Sequence, residues 1–303
     1  MTPPVTTTID PERCSGCGQC VSVCPDRTIS LEEGRAVVSG DRCLACGHCL
    51  AICPSGAIRV AAIAADTLTF STFTLMPEWL PWGDFDPAAL VRLMASRRSC
   101  RNYLERPVGR ELLLDLVKAG ITAPSGTNSQ QWTFTILDRR RQVEQLGGRI
   151  AGYFEKLNRL AANPLARLIS LLFGGNALGR YYHRYYHSIG EGLREWREGG
   201  RDRLFHGAPA AIVVGGGPEA SCPAEDALLA TQNILLAAHA LGLGTCLIGF
   251  AVAALERQPD LKRDLGIPRE EKVYAVIALG WPAEKYQRLC GRKPPLVRWA
   301  GNH

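Results

Sequence analysis

Eight of the chain's twelve cysteines fall within its first 53 residues, as two copies of one phrase. Cys14, Cys17, Cys20 and Cys24 are answered 29 residues on by Cys43, Cys46, Cys49 and Cys53. Each copy reads C-x2-C-x2-C-x3-C-P. Thiolates are the soft ligands that an iron–sulfur cluster needs, and such short gaps let one loop wrap a cubane with three sulfurs. The fourth cysteine of each run then ligates the other cluster. One 4Fe–4S set is therefore Cys14, Cys17, Cys20 and Cys53; the other is Cys43, Cys46, Cys49 and Cys24. Gly16, Gly18 and Gly47 suit a backbone folded tightly around a cluster, and Pro25 and Pro54 stop each run. The alternative is two zinc knuckles, which usually have longer gaps between cysteine pairs. Cys100, Cys222, Cys246 and Cys290 stand alone and read as buried or half-buried small hydrophobes.

A second group of residues suits an anion. Arg97-Arg98-Ser99-Cys100-Arg101 offers three guanidiniums and a hydroxyl in five residues, and arginine presents a bidentate fork to phosphate. Ala123-Pro-Ser-Gly-Thr-Asn-Ser-Gln-Gln-Trp132 is a polar loop leading into a strand, with amides and hydroxyls to offer a polar ligand. Taken alone, each has an ordinary reading: a solvated charged face, and a turn between helix and strand. Tyr181-Tyr-His-Arg-Tyr-Tyr-His187 holds half of the tyrosines and reads equally as a pocket roof or an amphipathic surface helix. His183 and His187 lie one helical turn apart, but no third metal ligand is evident. Arg194, Arg197, Arg201 and Arg203 read as solvated, because no nucleic-acid-binding motif accompanies them.

The elements that must position these groups fall into three parts. Residues 1–60 form a unit with strand-like runs at Thr28–Leu31 and Ala57–Val60 but too few large apolar residues for a core, so it needs a staple. Residues 61–88 form a connector whose two tryptophans, Trp79 and Trp82, are expected to pack on a surface. Residues 89–303 are long enough for a sizeable core. Helices are expected at 88–97, 110–120, 140–160, 224–241 and 253–264, and strands at 132–137, 210–215, 245–249 and 273–279. This order is not a regular βα alternation, so the fold class is α+β. A helical insertion is expected at 150–206, with an apolar stripe at Leu165, Leu168, Ile169, Leu172 and Phe173.

Residues 1–60 resemble a bacterial dicluster ferredoxin, with all eight ligands present. The arginine run and the polar loop together resemble the nitroreductase family, in which R-R-S-x-R is followed by A-P-S-x-x-N-x-Q-P-W. Gln131 stands here in place of the usual proline. Further matches are Gly207-Ala-Pro209, Glu225-Asp226, Gln232-Asn233, Gly242-Leu-Gly-Thr245, Ile248-Gly249, Gly280-Trp-Pro282 and Arg292-Lys-Pro294. The resemblance implies FMN. Arg97, Arg98, Ser99 and Arg101 would hold its phosphate and ribityl chain, and Arg292 would return to the phosphate. Asn128 would bond the flavin ring, with Pro124, Ser125 and Gln130 lining it. Ile248 and Gly249 would place backbone beside the ring. The resemblance also implies a site completed across a homodimer. No residue stands out as an obligatory acid or base.

Composition bounds the rest. The chain has 303 residues, 46% of them hydrophobic and 21% charged, which excludes wholesale disorder. Its net charge of +6 is modest, and no nucleic-acid partner is expected. The charge is uneven: residues 1–60 hold five Arg and six Asp/Glu, leaving the excess on the remainder. Residues 234–255 carry no formal charge, but Gly242, Gly244 and Gly249 break them into a helix (Asn233–Leu241) and a strand (Thr245–Phe250), so no membrane span is expected. The opening Met-Thr-Pro-Pro is unlike a signal peptide, and a reducing cytoplasm suits clustered cysteine ligands. Neither a dinucleotide fingerprint nor a nucleophile elbow appears. The reading is an FMN oxidoreductase whose clusters feed the flavin for hydride reduction of a small electrophilic acceptor, nitroaromatics among them. An external ferredoxin or another low-potential donor would supply electrons. The alternatives are an electron carrier whose second domain only docks, or the same fold with dehalogenase or desaturase chemistry.

Overall fold

The computed structural model describes residues 4–301, so the first three residues of the opening segment lie outside it. In the cysteine unit, β1 (Thr7–Ile9) pairs antiparallel with β4 (Ile58–Val60), and β2 (Ile29–Glu32) with β3 (Arg35–Val38). Two five-residue helices, α1 (Gln19–Val23) and α2 (His48–Ile52), start at Gly18 and Gly47 with φ of 72° and 76°. Only glycine adopts that backbone without strain. The chain turns out of each helix at Cys24 and Cys53, so the proline-terminated ends of the two runs are structural equivalents.

The larger domain is α+β, as expected. It contains α3 (Pro87–Ser96), α4 (Arg110–Gly120), β5 (Trp132–Leu137), α5 (Arg140–Ala162), α6 (Pro164–Phe173), α7 (Ala177–Arg184), α8 (Tyr186–Gly199), β6 (Ala210–Gly216), α9 (Pro223–Ala240), β7 (Gly244–Leu247), α10 (Gly249–Arg257), α11 (Pro259–Asp264) and β8 (Lys272–Gly280). The four strands form one antiparallel sheet in the order β5-β6-β8-β7. Its two faces sort by residue parity. Ala211, Val213, Val276 and Ala278 face the layer of α5 and α10; Ala210, Ile212, Val214, Ile277 and Leu279 face that of α4 and α9. Because β6 is covered on both sides, it reads as an unbroken apolar run rather than an alternating one.

Several boundaries differ from expectation. The stretch 253–264 is two helices, because Pro259 cannot continue the ladder of α10 and instead opens α11. The strand expected to reach Phe250 ends at Leu247, and Gly249 already belongs to α10. The bound expected at residue 150 falls inside α5, which gives way to α6 at the Asn163–Pro164 cap. Its apolar stripe is exposed, with Phe173 at 86%. The connector tryptophans are exposed as well, Trp82 at 91%, and meet each other edge to face. What docks the connector is polar. Asp115, fully buried on α4, accepts hydrogen bonds from the Ser71 amide (3.0 Å), the Thr72 amide (2.7 Å) and the Thr72 hydroxyl (2.7 Å). Lys118 Nζ adds one to the Thr69 carbonyl at 2.6 Å. Despite burial, the bonds from Thr72 and Ser71, with the Lys118 charge, hold the Asp115 carboxyl below its usual range. No helix among the described residues is long and apolar enough to cross a membrane.

Candidate cofactor sites

The cysteine unit encloses two small cavities, and the thiols divide between them as the spacing predicts. One is lined by Cys24, Cys43, Cys46 and Cys49, with Leu44 and Ala45 in its wall. The other is lined by Cys14, Cys17, Cys20 and Cys53. Backbone amides already point at sulfur: Thr28 to Cys24 and Ala45 to Cys43, Ala57 to Cys53 (each 3.3 Å), and Ala36 to Cys14 (3.4 Å). Such N–H···S bonds tune the potential of an iron–sulfur centre. Burial pushes the Cys20 thiol up, and Cys14 and Cys17 add to it. Burial does the same to Cys49, with Cys46, Cys24 and Cys43 adding. Sulfurs crowded in this way repel as thiolates, and a cationic iron core relieves the repulsion, so the donor sets fit the group. Among the described residues, no three His, Cys, Asp or Glu side chains could hold a single metal ion, His183 and His187 included. Of the lone cysteines, Cys100 and Cys246 are buried as expected, whereas Cys222 and Cys290 are exposed.

In the larger domain the predicted anion-binding residues assemble at the β7 edge. Ser99 forms a parallel bridge to Thr245, and the Cys100 amide donates to the Thr245 carbonyl at 2.9 Å. This sets Arg97, Arg98 and Arg101 beside the strand that leads into Ile248 and Gly249. Ile248 is buried, its amide bonded to the Val276 carbonyl at 2.8 Å; Gly249 is open, with nothing within 4 Å of where a Cβ would lie. Arg101 lines a cavity with Arg140, Arg201, Arg203 and His206. The sequence reading missed Arg140 and His206 and assigned Arg201 and Arg203 to solvent. Burial pushes the His206 imidazole down and Arg101 and Arg201 add to it, against Asp202. Arg292 lies in the exposed carboxyl-terminal segment, its guanidinium bonded to the carbonyls of Cys290 and Gly291.

The polar loop sits at the opposite corner of the sheet. Trp132 pairs with Gly216 at the β5 edge, while Thr245 pairs with Leu279 at the far end and far side. Strand spacing and rise put the two corners on the order of 25 Å apart. One chain therefore does not bring Pro124, Ser125, Asn128 and Gln130 to the arginine run. The loop is held rigidly. Asp226, buried in the first turn of α9, accepts from the Gly126 amide (2.8 Å) and the Ser129 hydroxyl (3.2 Å). Thr127, Asn128 and Gln130 all have φ near +50°, a strained backbone for side-chain-bearing residues. Asn128 Nδ2 donates to the carbonyls of Leu44 (2.9 Å) and Ala45 (3.1 Å), and Oδ1 accepts from Gln130 Nε2 (2.9 Å). Nothing local in the sequence signals that contact.

The tyrosine-rich stretch spans a helix break at Tyr185, whose ring meets Phe250 edge on at 5.6 Å, one residue past Gly249. Phe250 closes one side of an apolar cavity of about 200 Å³ between α5 and α8, with Ile150, Phe154, Leu193 and Trp196. Tyr181 donates to Asn158 Oδ1 at 2.5 Å, and burial pushes its phenol up.

Sequence comparison agrees with both halves. Residues 94–281 match the nitroreductase family, and residues 6–54 match the 4Fe–4S dicluster domain. The chain belongs to the nitroreductase family, with a ferredoxin-type domain joined ahead of the oxidoreductase domain. A 4-nitrobenzoate reductase of Nocardioides sp. is 27% identical over 64% of this chain and 80% of its own length. An FMN reductase [NAD(P)H] of Bacillus subtilis is 26% identical, over 71% of this chain and 72% of its own. The solved structure of an FMN-bound nitroreductase from Bacteroides fragilis shares the fold, with a TM-score of 0.50 and 24% identity over 69% of this chain and 98% of that one.

Proposed function

We propose that this chain is an FMN-dependent oxidoreductase in which two 4Fe–4S clusters feed electrons to the flavin, for two-electron reduction of a small electrophilic acceptor, nitroaromatics among them. The observation that carries the reading is the partition of eight thiols into two cavities, four to each, on a chain whose remainder has the nitroreductase fold. When bound, clusters pass electrons singly, and FMN collects two and gives them up as hydride. Arg97, Arg98, Ser99 and Arg101 would hold the phosphate end, with Ile248 and Gly249 along the ring. Pro124, Ser125 and Gln130 would come from the second copy of a homodimer, because one chain keeps the two corners apart. The cavity beside Phe250 gives an apolar acceptor a place next to Gly249. Tyr181 has its hydroxyl engaged by Asn158, and solvent or another tyrosine would supply the proton.

The FMN reductase relative is named for a nicotinamide donor. Here the fused cysteine unit replaces that encounter with a tethered one, at a high effective concentration. The test is anaerobic purification. Iron and sulfide should each equal the number of cysteines in the two sets, with a flavin absorbance band that a reduced ferredoxin bleaches. Half that iron with zinc present, or no flavin, overturns the reading.

A further inference from the structure

Among the described residues, the only hydrogen bonds joining residues 4–60 to the larger domain come from Asn128. They land on Leu44 and Ala45, in the wall of the cavity lined by Cys24, Cys43, Cys46 and Cys49. The Ala45 amide donates to Cys43 Sγ at 3.3 Å, so a short bonded route runs from that sulfur through Ala45 to Asn128. The other cavity has no such link. Asn128 is also fixed from behind, by Gln130 and by a strained loop pinned on Asp226. The arginine run of the same chain lies at the far corner of the sheet, on the order of 25 Å from this loop. Electron tunnelling falls off exponentially with distance, so a cluster beside Asn128 does not serve a flavin held at its own chain's arginines.

We infer that electrons leave through the cluster of Cys24, Cys43, Cys46 and Cys49 and cross to a flavin held by the arginine run of the other copy of this chain, with Asn128 as the positioning residue. The inference rests on the proposed function and deepens it. Two one-electron transfers from a low-potential donor, with protons from solvent, balance the two-electron reduction of the flavin; the donor is oxidised by one electron each time.

Mixed dimers test it. One copy carries Arg97→Ala, Arg98→Ala and Arg101→Ala; the other carries Cys43→Ser and Cys46→Ser. Crossing predicts that the mixed dimer bleaches its flavin with reduced ferredoxin at the wild-type rate per flavin. The first parent should hold no flavin, and the second should hold flavin that it does not bleach. A mixed dimer as inactive as its parents, or a chain that is monomeric when it bleaches, overturns the crossing. If the wild-type chain itself does not bleach, the function proposed above fails instead. Asn128→Ala and Asn128→Asp supply a second readout. Each should speed hydrogen exchange at Ala45 and slow bleaching by about tenfold, as expected for losing a pair of hydrogen bonds, with cluster reduction and iron content unchanged. Unaltered bleaching and exchange in both variants overturns the role of Asn128.

Discussion

Cys20, Ile29, Ala36, Ile58 and Val60 make up the buried core of the cysteine unit, whereas the larger domain buries an apolar layer on each face of its sheet. The first cannot offset the entropy of ordering its chain by burial alone; the second can. One of the five core residues is itself a predicted ligand, and Cys14, Cys49 and Cys53 pack against the rest. Core and ligand set are thus largely the same atoms in the small unit. In the larger domain the candidate site lies at the sheet's corners, outside the core. Damage to a ligand should therefore be a folding defect in one region and a binding defect in the other.

Removing iron gives the largest contrast. Metal binding in small domains is worth on the order of 10 kcal/mol, more than a five-residue core supplies. In iron-free full-length protein, hydrogen exchange at the amides of Thr28, Ala36, Ala45 and Ala57 should become unprotected, while β6 and β8 keep their protection. Equal protection with and without iron would show that the small core suffices. A middle-sized effect comes from Asp115→Asn, which keeps the shape and removes the charge. Hydrogen bonds to charged groups are worth about 1.5–3 kcal/mol, and the loss should appear as faster exchange at Ser71 and Thr72 with both cores intact. The smallest effect is one of pH. The folded His206 has a lowered pKa, so the unfolded chain binds the extra proton first. The stability of the larger domain should be fully present above about pH 6.5 and fall as the pH drops below it. His206→Gln should remove that slope in urea titrations; an unchanged slope would assign it to other groups.

The division of the thiols between two cavities was legible because three sulfurs of each group sit at short spacing in one run and the fourth closes the other run. Helix α4 was legible from its apolar period, and the acid inside that period, Asp115 between Leu113 and Leu116, was a signal of a buried partner. Strands β2 and β4 were read because each follows a Cys-Pro end of the repeat, whereas β1 and β3, equally short, have no such marker. The connector was read through its tryptophans, yet it docks through Ser71 and Thr72, since backbone amides leave no mark in a sequence. The charge is split between the two regions, which would favour electrostatic docking. Among the described residues no ion pair joins the cysteine unit to the larger domain; neutral bonds from Asn128 do. That pairing spans 84 residues, and only the fold brings it together.

The anchoring of Ser71 and Thr72 on Asp115 lies upstream of the exposed segment Met76–Phe85. Covalent and mechanical continuity therefore part company in this chain. A protease that nicks at Trp79 or Trp82 cuts slack rather than a taut tether, because the latch at Asp115 stays on the severed side and still grips α4. The same slack can lengthen or shorten by a few residues over evolution without moving the cysteine unit relative to the larger domain.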